Sequence, residues 1–331
     1  MRAEQMVGTA TLTELYAPIA GELEQAAQIL RDELISDDAS LAELHHHAER
    51  FHGKRLRPAL LLLAGRACGQ VRPEHALLAA VVEMIHLATL VHDDVLDNGQ
   101  VRRRTATVNC LWGNARAVLL GDILFSRAYR LCNTLDTPEA ARLIAQAAIA
   151  VCEGEIKQIE RRGDTALSEE AYFDIVTQKT ASLLGVAGYL GAKYAGADEA
   201  TSERLRAFGI AVGIAFQVTD DLLDLVGDES LVGKSLGRDL EQGEYTLPVI
   251  HFLRTGSPER RAEMEAALQA APDQRGEQVL RLLNGSASVA YARRCAEQHV
   301  RSALDNLAGL PASNARNSLQ AVGDFVLARR F

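Results

Sequence analysis

The chain lacks most of the residues that staple or interrupt a fold. Its 331 residues include five cysteines, eight prolines and one tryptophan, and aromatics make up only 5%. Cys68, Cys110, Cys132, Cys152 and Cys295 are odd in number and form no CxxC pair. That argues against a disulfide framework or a zinc site and fits a reducing cytoplasm. Scarce proline leaves long stretches free to run as helix, and Pro58, Pro73 and Pro138 stand where helices should begin or end. No charge-free apolar run reaches the ~18 residues that a transmembrane segment needs. The most apolar stretch, Val81 to Val91, is broken by Glu83 and His86. The start, MRAEQMVGTATLTEL, has no apolar core behind basic residues, so no signal peptide is expected. Positive charge is not in excess either: 35 Lys plus Arg against 44 Asp plus Glu leave a net charge of -9. Such a balance is poor for a general nucleic-acid binder.

What is present suits a large helical core. Hydrophobic residues make up 48% and charged residues 24%, the balance of a globular protein. Apolar side chains recur at helical spacing over 14–34, 73–97, 114–135, 138–160, 201–226 and 285–308, and no segment alternates with period two. The expected class is all-α, with ten or more helices in one large domain spanning residues 1–331. Loops are expected at FHGKRL (51–56), DNGQVRRRTAT (97–107) and VGDESLVGKSLGRDLEQGEY (226–245), none of them an interdomain linker. The charged stretch 255–285 reads as a mobile excursion.

One short motif occurs twice. Asp93, Asp94 and Asp97 stand in DDVLD, and Asp220, Asp221 and Asp224 in DDLLD. Each motif closes a long apolar helix and precedes a basic, glycine-containing loop, which suggests two helices facing one cavity. On a helix, residues i and i+4 share a face, so Asp93 and Asp97 stack one turn apart with Asp94 on the flank. Three carboxylates this close repel and raise one another's pKa unless a cation intervenes. The helix dipole at a C-terminus disfavours them further. Hard oxygen ligands with neither His nor Cys among them point to Mg²⁺. A single DDxxD is a weak motif; two, each behind ten or more residues of apolar helix, favour a metal site over a solvated helix end.

Basic clusters supply a complement. Lys54 and Arg57 lie at a helix start, Arg102-Arg103-Arg104 follows the first motif, and Gly233-Lys234 follows the second. Each alone is a surface patch; beside acidic metal sites they look like diphosphate clamps. Two other patterns lead nowhere. GDESLVGKS has five residues between Gly227 and Gly233 and follows a helix, so it is no nucleotide P-loop. His45-His46-His47, with His52 nearby, reads as a solvated helix end, because consecutive His do not converge easily on one ion.

Taken together, GKRLRP (53–58), EMIHLATLVHDDVLD (83–97), RRRTAT (102–107), GEIKQ (154–158), KTASLLG (179–185) and AFQVTDDLLDLVGDESLVGKSLGRDL (215–240) resemble the trans-isoprenyl diphosphate synthases, also called polyprenyl synthetases. The resemblance implies antiparallel helices around a central cavity, usually as a homodimer. It implies a prenyltransferase in which an allylic diphosphate ionises, its carbocation alkylates isopentenyl diphosphate, and a proton is lost to the released diphosphate. By that match Arg102, Lys179 and Lys234 face the allylic diphosphate, while Lys54, Arg57, His86 and Arg103 hold isopentenyl diphosphate. Thr180 and Gln217 offer oxygen dipoles to the developing cation.

The same match bears on product length. Ala88 and Thr89, just below Asp93, are small where short-chain relatives carry a bulky aromatic floor, so a tunnel should continue towards Ile85 and Met84. The string IHLATLVHDD resembles long-chain synthases such as the octaprenyl type. Two departures stand out. Arg104 replaces the glycine of a common RRG, and Glu244 in Gly243-Glu244-Tyr245-Thr246-Leu247-Pro248 replaces the lysine of GKxTLP. Glu244 reverses a charge expected to face the allylic diphosphate, so Glu244→Lys is expected to lower the allylic KM. Alternative readings are a non-catalytic regulatory subunit of a heteromeric synthase, a short-chain (geranylgeranyl) synthase, and a terpene cyclase or head-to-head enzyme. Lys54, Arg57 and His86 speak against a cyclase.

Overall fold

Long helices follow from long stretches without proline or glycine pairs, and the chain breaks where those residues stand. The structure is a computed structural model that describes residues 6–7, 10–48, 51, 53–227 and 237–328. The expected first helix is divided at Pro18 into α1 (Leu12–Tyr16), a single tight turn, and α2 (Ala20–Glu33). Then come α3 (Ala39–Ala48), α4 (Leu56–Cys68), α5 (Pro73–Leu96), α6 (Val108–Trp112), α7 (Asn114–Cys132) and α8 (Glu139–Glu160). α9 (Glu169–Val176) runs through a π turn (Thr177–Ala181) into α10 (Ser182–Tyr194), and α11 (Glu199–Val226) is the longest helix described. The C-terminal part holds α12 (Arg238–Glu241), α13 (Leu247–Thr255), α14 (Pro258–Leu268), α15 (Pro272–Asn284), α16 (Ser288–Asp305) and α17 (Asn314–Leu327). Among the described residues, strand is limited to two hairpins of two-residue strands, Met6–Val7 with Ala10–Thr11 and Val101–Arg102 with Thr105–Ala106.

The central helix is α5. Pro73 opens it where a missing N–H costs nothing. Ala, Leu, Val and Met on several faces bury it against α2, α4, α7 and α10. By length and composition it could cross a membrane, but 72% of its most apolar window is buried within the fold, as in a core helix. α11 packs against α10 and α16, so the two aspartate-bearing helices share α10 as a neighbour. α11 starts at Asp198, whose carboxylate accepts the Thr201 N–H at 2.8 Å.

Two expectations need correction. Residues 255–285 are the helices α14 and α15, closed over a core of their own. Met264, Val279 and Leu283 there are fully buried beneath Leu225, Tyr245 and Phe252. Their apolar side chains fall at helical spacing, a pattern that the high charge of the segment obscured. The three histidines are not a solvated end either: His45 and His47 are buried. His45 Nδ1 pairs with the Leu34 carbonyl at 2.7 Å, and His47 Nε2 with the Ala106 carbonyl at 2.7 Å. His45 ties α3 back to the end of α2, and His47 ties it to the 101–106 hairpin, which a single sequence does not place beside it.

Candidate active site

The last turn of α5 brings its three carboxylates into different surroundings. Asp94 is only 2% exposed. Arg102 Nε lies 2.9 Å from both Asp94 oxygens, and Arg102 Nη2 lies 2.9 Å from Oδ1. Arg102 is brought there by the 101–106 hairpin, whose two-residue turn sets Arg103 at φ 51° and Arg104 at φ 64°. Positive φ at both central residues is the turn that matches strand twist. Asp97 accepts Arg162 Nη2 at 2.9 Å. Burial pushes the Asp93 carboxyl up to about 7; Lys179 and Arg102 oppose the rise, and Glu155 and Asp97 add to it.

The last turns of α11 hold the second set. Asp221 is buried and accepts Tyr172 Oη at 2.5 Å and Gln217 Nε2 at 2.7 Å. Burial outweighs both bonds and pushes its carboxyl up to about 7. Gln217 in turn accepts Thr180 Oγ1 at 2.9 Å. Asp224 Oδ2 accepts the backbone N–H of Asp239 at 3.1 Å. Burial, with Asp224 and Asp221 beside it, holds the Asp239 carboxyl well above its usual range.

The π turn joins the two sets. Lys179 Nζ lies 2.5 Å from Glu155 Oε2 on α8. Burial alone would lower the Lys179 pKa, but Glu155 and Asp93 outweigh it and the net shift is upward. Its neighbour Thr180 belongs to the Gln217–Asp221 chain. So one extra residue in a helical turn aims adjacent side chains at the two motifs, a use of π turns seen often at functional sites. α8 can approach this closely because residue 154 is glycine: a Cβ there would stand 2.7 Å from the Lys179 nitrogen.

A third group lies at the start of α4. Lys54 Nζ sits 4.7 Å above the Phe325 ring centroid, and Tyr16 Oη donates to the Lys54 carbonyl at 2.9 Å. Burial lowers Arg57 to about 10, Glu83 acts against it, and Arg103 adds to the lowering. Among the described residues, Arg57 Nε is buried without a hydrogen-bond partner. Arg103 donates to the Phe51 carbonyl. His86 is half-buried on α5, and its carbonyl accepts Thr89 Oγ1 at 2.8 Å. Ala88, Ile85 and Met84 are fully buried and Thr89 half-buried. Lys234 lies outside the described residues.

These groups fit a hard divalent cation and phosphate. The candidate metal ligands are carboxylates alone. Two of them, Asp93 and Asp221, carry buried charge that a cation would relieve. Among the described residues no three acidic, His or Cys side chains already form a metal site. The six aspartates therefore do not stand as one preassembled cage. Few protein oxygens per ion is the arrangement expected where substrate phosphates complete the shell. Arg57 adds a buried N–H that no described residue accepts, the donor an anion would take.

An all-α fold with paired aspartate motifs on two helices that both pack against α10, and separate cationic groups, defines a diphosphate-handling enzyme. The polyprenyl synthetase family profile matches residues 38–284. The chain is 33% identical over 299 residues to octaprenyl diphosphate synthase of Escherichia coli, covering 90% of this chain and 93% of that protein. It is 36% identical over 316 residues to nonaprenyl diphosphate synthase of Mycobacterium tuberculosis, covering 95% and 94%. Among solved structures it is similar to the polyprenyl synthase of Caulobacter crescentus complexed with calcium and isoprenyl diphosphate. That match has a TM-score of 0.90 and 33% identity over 99% of this chain and 100% of that one. The chain belongs to the polyprenyl synthetase family, a class of prenyltransferases.

Glu83, Glu155, Arg162, Tyr172 and Asp239 also enter the site, although sequence reasoning assigned none of them a role. Glu155 and Asp239 lie inside strings that carried the resemblance, and Glu83 lies three residues before His86, which puts it on the same face of α5. Arg162 and Tyr172 carry no such signal.

Proposed function

We propose that the protein condenses isopentenyl diphosphate with an allylic diphosphate, farnesyl or geranylgeranyl diphosphate, to give a long-chain all-trans polyprenyl diphosphate, with Mg²⁺ as its metal. The observation that carries this reading is the π turn, with Lys179 beside the first aspartate motif and Thr180 bonded into the second. Bound Mg²⁺ supplies Lewis acidity that makes diphosphate a competent leaving group. Asp93, Asp94, Asp97, Asp220, Asp221 and Asp224 are the proposed metal-binding set, with Asp94 also fixing Arg102 and Asp97 meeting Arg162. Arg102, Lys179 and Lys234 neutralise the allylic diphosphate as its C–O bond breaks and the electron pair stays on oxygen. Thr180 and Gln217, bonded to one another, present fixed dipoles to the allylic cation at no reorganisation cost. Lys54, Arg57, His86 and Arg103 orient isopentenyl diphosphate, and Arg57 has a buried N–H to give it. The double bond attacks the cation, a new C–C bond forms, and the proton leaves to the released diphosphate.

Small side chains at Ala88 and Thr89 support a long product over a geranylgeranyl one. α7 exposes Val118 and Leu119, and α8 exposes Ile149, Ile156 and Ile159. These apolar faces support a homodimer. Five free cysteines support a cytoplasmic setting.

The test incubates the purified chain with labelled isopentenyl diphosphate, farnesyl diphosphate and Mg²⁺, then sizes the product by chromatography. Incorporation into a long chain is expected. No incorporation by the single chain would favour a regulatory subunit, and a product stopping at geranylgeranyl length would favour a short-chain synthase.

A further inference from the structure

Glu244 reverses a charge in the sequence, and its surroundings restore it. Arg162, two residues past the end of α8, donates to Glu244 Oε1 through Nε at 3.0 Å and through Nη2 at 2.7 Å. The same Nη2 reaches Asp97 Oδ1 at 2.9 Å. The other Glu244 oxygen accepts the side-chain amide of Gln158. The Glu244 N–H bonds the Asp239 carbonyl at 2.8 Å.

The two segments are also joined through their backbones. Gly163 N–H donates to the Gly243 carbonyl at 2.7 Å. Gly243 adopts φ 76°, where a side chain is strained, and a Cβ there would meet the Gly163 nitrogen at 3.2 Å. Residues 162 and 244 are therefore paired in a built contact and not by a chance meeting of long side chains.

We propose that Arg162 is an allylic-diphosphate-binding residue of this chain and that Glu244 is its positioning residue. The cation has moved to position 162 and the anchor to position 244. This rests on the prenyltransferase reading above. Glu244 is held by Arg162 and Gln158, so it offers the diphosphate little net negative charge. Arg162 stays 27% exposed beside Asp97, at the edge of the first motif. Its bonds to Glu244 hold the guanidinium plane, while the bond to Asp97 is exchangeable. A diphosphate oxygen is the same kind of acceptor for an Arg fork as that carboxylate. Lysine at 244 in the otherwise unchanged chain would set two cations together and release Arg162. Glu244→Lys alone therefore raises the allylic KM, contrary to the expectation from sequence.

The test measures calorimetric binding of farnesyl thiodiphosphate with Mg²⁺, together with KM for each substrate. Variants are Arg162→Ala, Arg162→Lys, Glu244→Lys and the double variant Arg162→Ala/Glu244→Lys, each checked for folding by its thermal midpoint. Arg162→Ala should raise the thiodiphosphate Kd and the allylic KM by about tenfold to hundredfold, the range of a charge-assisted hydrogen bond. It should leave the KM for isopentenyl diphosphate within about twofold. Arg162→Lys should fall between, and the double variant should bind more tightly than Arg162→Ala. Unchanged thiodiphosphate binding in an active Arg162→Ala variant overturns the proposal, as does a double variant no better than Arg162→Ala. A wild-type chain that neither binds thiodiphosphate nor incorporates isopentenyl diphosphate overturns the prenyltransferase reading itself, and the Arg162 proposal with it.

Discussion

Asp94 and Arg102 are locked together, with Arg102 Nε 2.9 Å from both carboxylate oxygens and Asp94 almost wholly buried. The first DDVLD is thus three residues with different surroundings. Asp94 fixes the hairpin that follows the motif, Asp97 meets Arg162, and Asp93 carries a buried charge near Lys179.

That division predicts opposite effects from two similar substitutions. Asp94→Asn keeps the shape but strands Arg102. Breaking a fully buried pair costs about 3–5 kcal/mol; with Arg102 22% exposed, a loss on the order of 2 kcal/mol is expected. Asp93→Asn removes a desolvated charge, so without metal the stability holds or rises, while turnover falls by about a hundredfold or more. Urea midpoints and isopentenyl diphosphate incorporation check both; a larger stability loss for Asp93→Asn would reverse the assignment.

Arg104, at the second central position of the 101–106 turn, adopts φ 64°. A left-handed conformation costs an L-residue about 1–2 kcal/mol, and glycine loses about 0.5–1 kcal/mol of that advantage to unfolded-state entropy. Arg104→Gly should stabilise the protein by about 0.5–1 kcal/mol. A thermal midpoint that stays level or falls would mean that the Arg104 side chain makes a compensating contact.

Much of the architecture was legible because helical spacing survives in the sequence. The expected helices at 73–97, 114–135, 138–160 and 201–226 agree closely with α5, α7, α8 and α11. Pro18 was the exception, dividing a helix that periodicity alone ran through. The aspartate motifs were legible because repeated carboxylates on apolar helices need a reason. What stayed hidden depends on contacts between distant segments. His47 meets a carbonyl 59 positions away, Tyr172 reaches Asp221 across 49, and Arg162 reaches Glu244 across 82. Glu244 was noticed as a reversed charge, but its compensating cation lies on another element, and no spacing rule connects them. The charged surface of 255–285 hid a small core that only the pairing of α14 with α15 creates.

Metal binding and pH should be linked with a definite sign. Asp93 and Asp221 have carboxyls raised from the ordinary 3.8 to about 7, so the folded chain binds more protons than the unfolded chain between those values. Stability from these groups is therefore fully present at low pH and declines as pH rises through about 7. Mg²⁺ takes the ionised carboxylates and offsets the loss. The rise in thermal midpoint on adding Mg²⁺ should be larger at about pH 8 than at about pH 6. An equal rise at both would mean that these two carboxylates are not the metal's ligands.

Tyr172 gives a sharper test of the second motif. Its hydroxyl donates to Asp221 at 2.5 Å and favours the ionised carboxylate against the burial that opposes it. Tyr172→Phe keeps the ring, which packs with Val176, Ile214 and Leu222, and removes one donor. A hydrogen bond to a charged group contributes about 1.5–3 kcal/mol, so Asp221 should ionise roughly one pH unit or more higher. The loss of turnover should be several-fold greater at about pH 6.5 than at about pH 8.5, with the acid limb of kcat/KM moved upward. A uniform loss at every pH would mean that Tyr172 acts on packing alone and that its bond to Asp221 does not set the ionisation of the second motif.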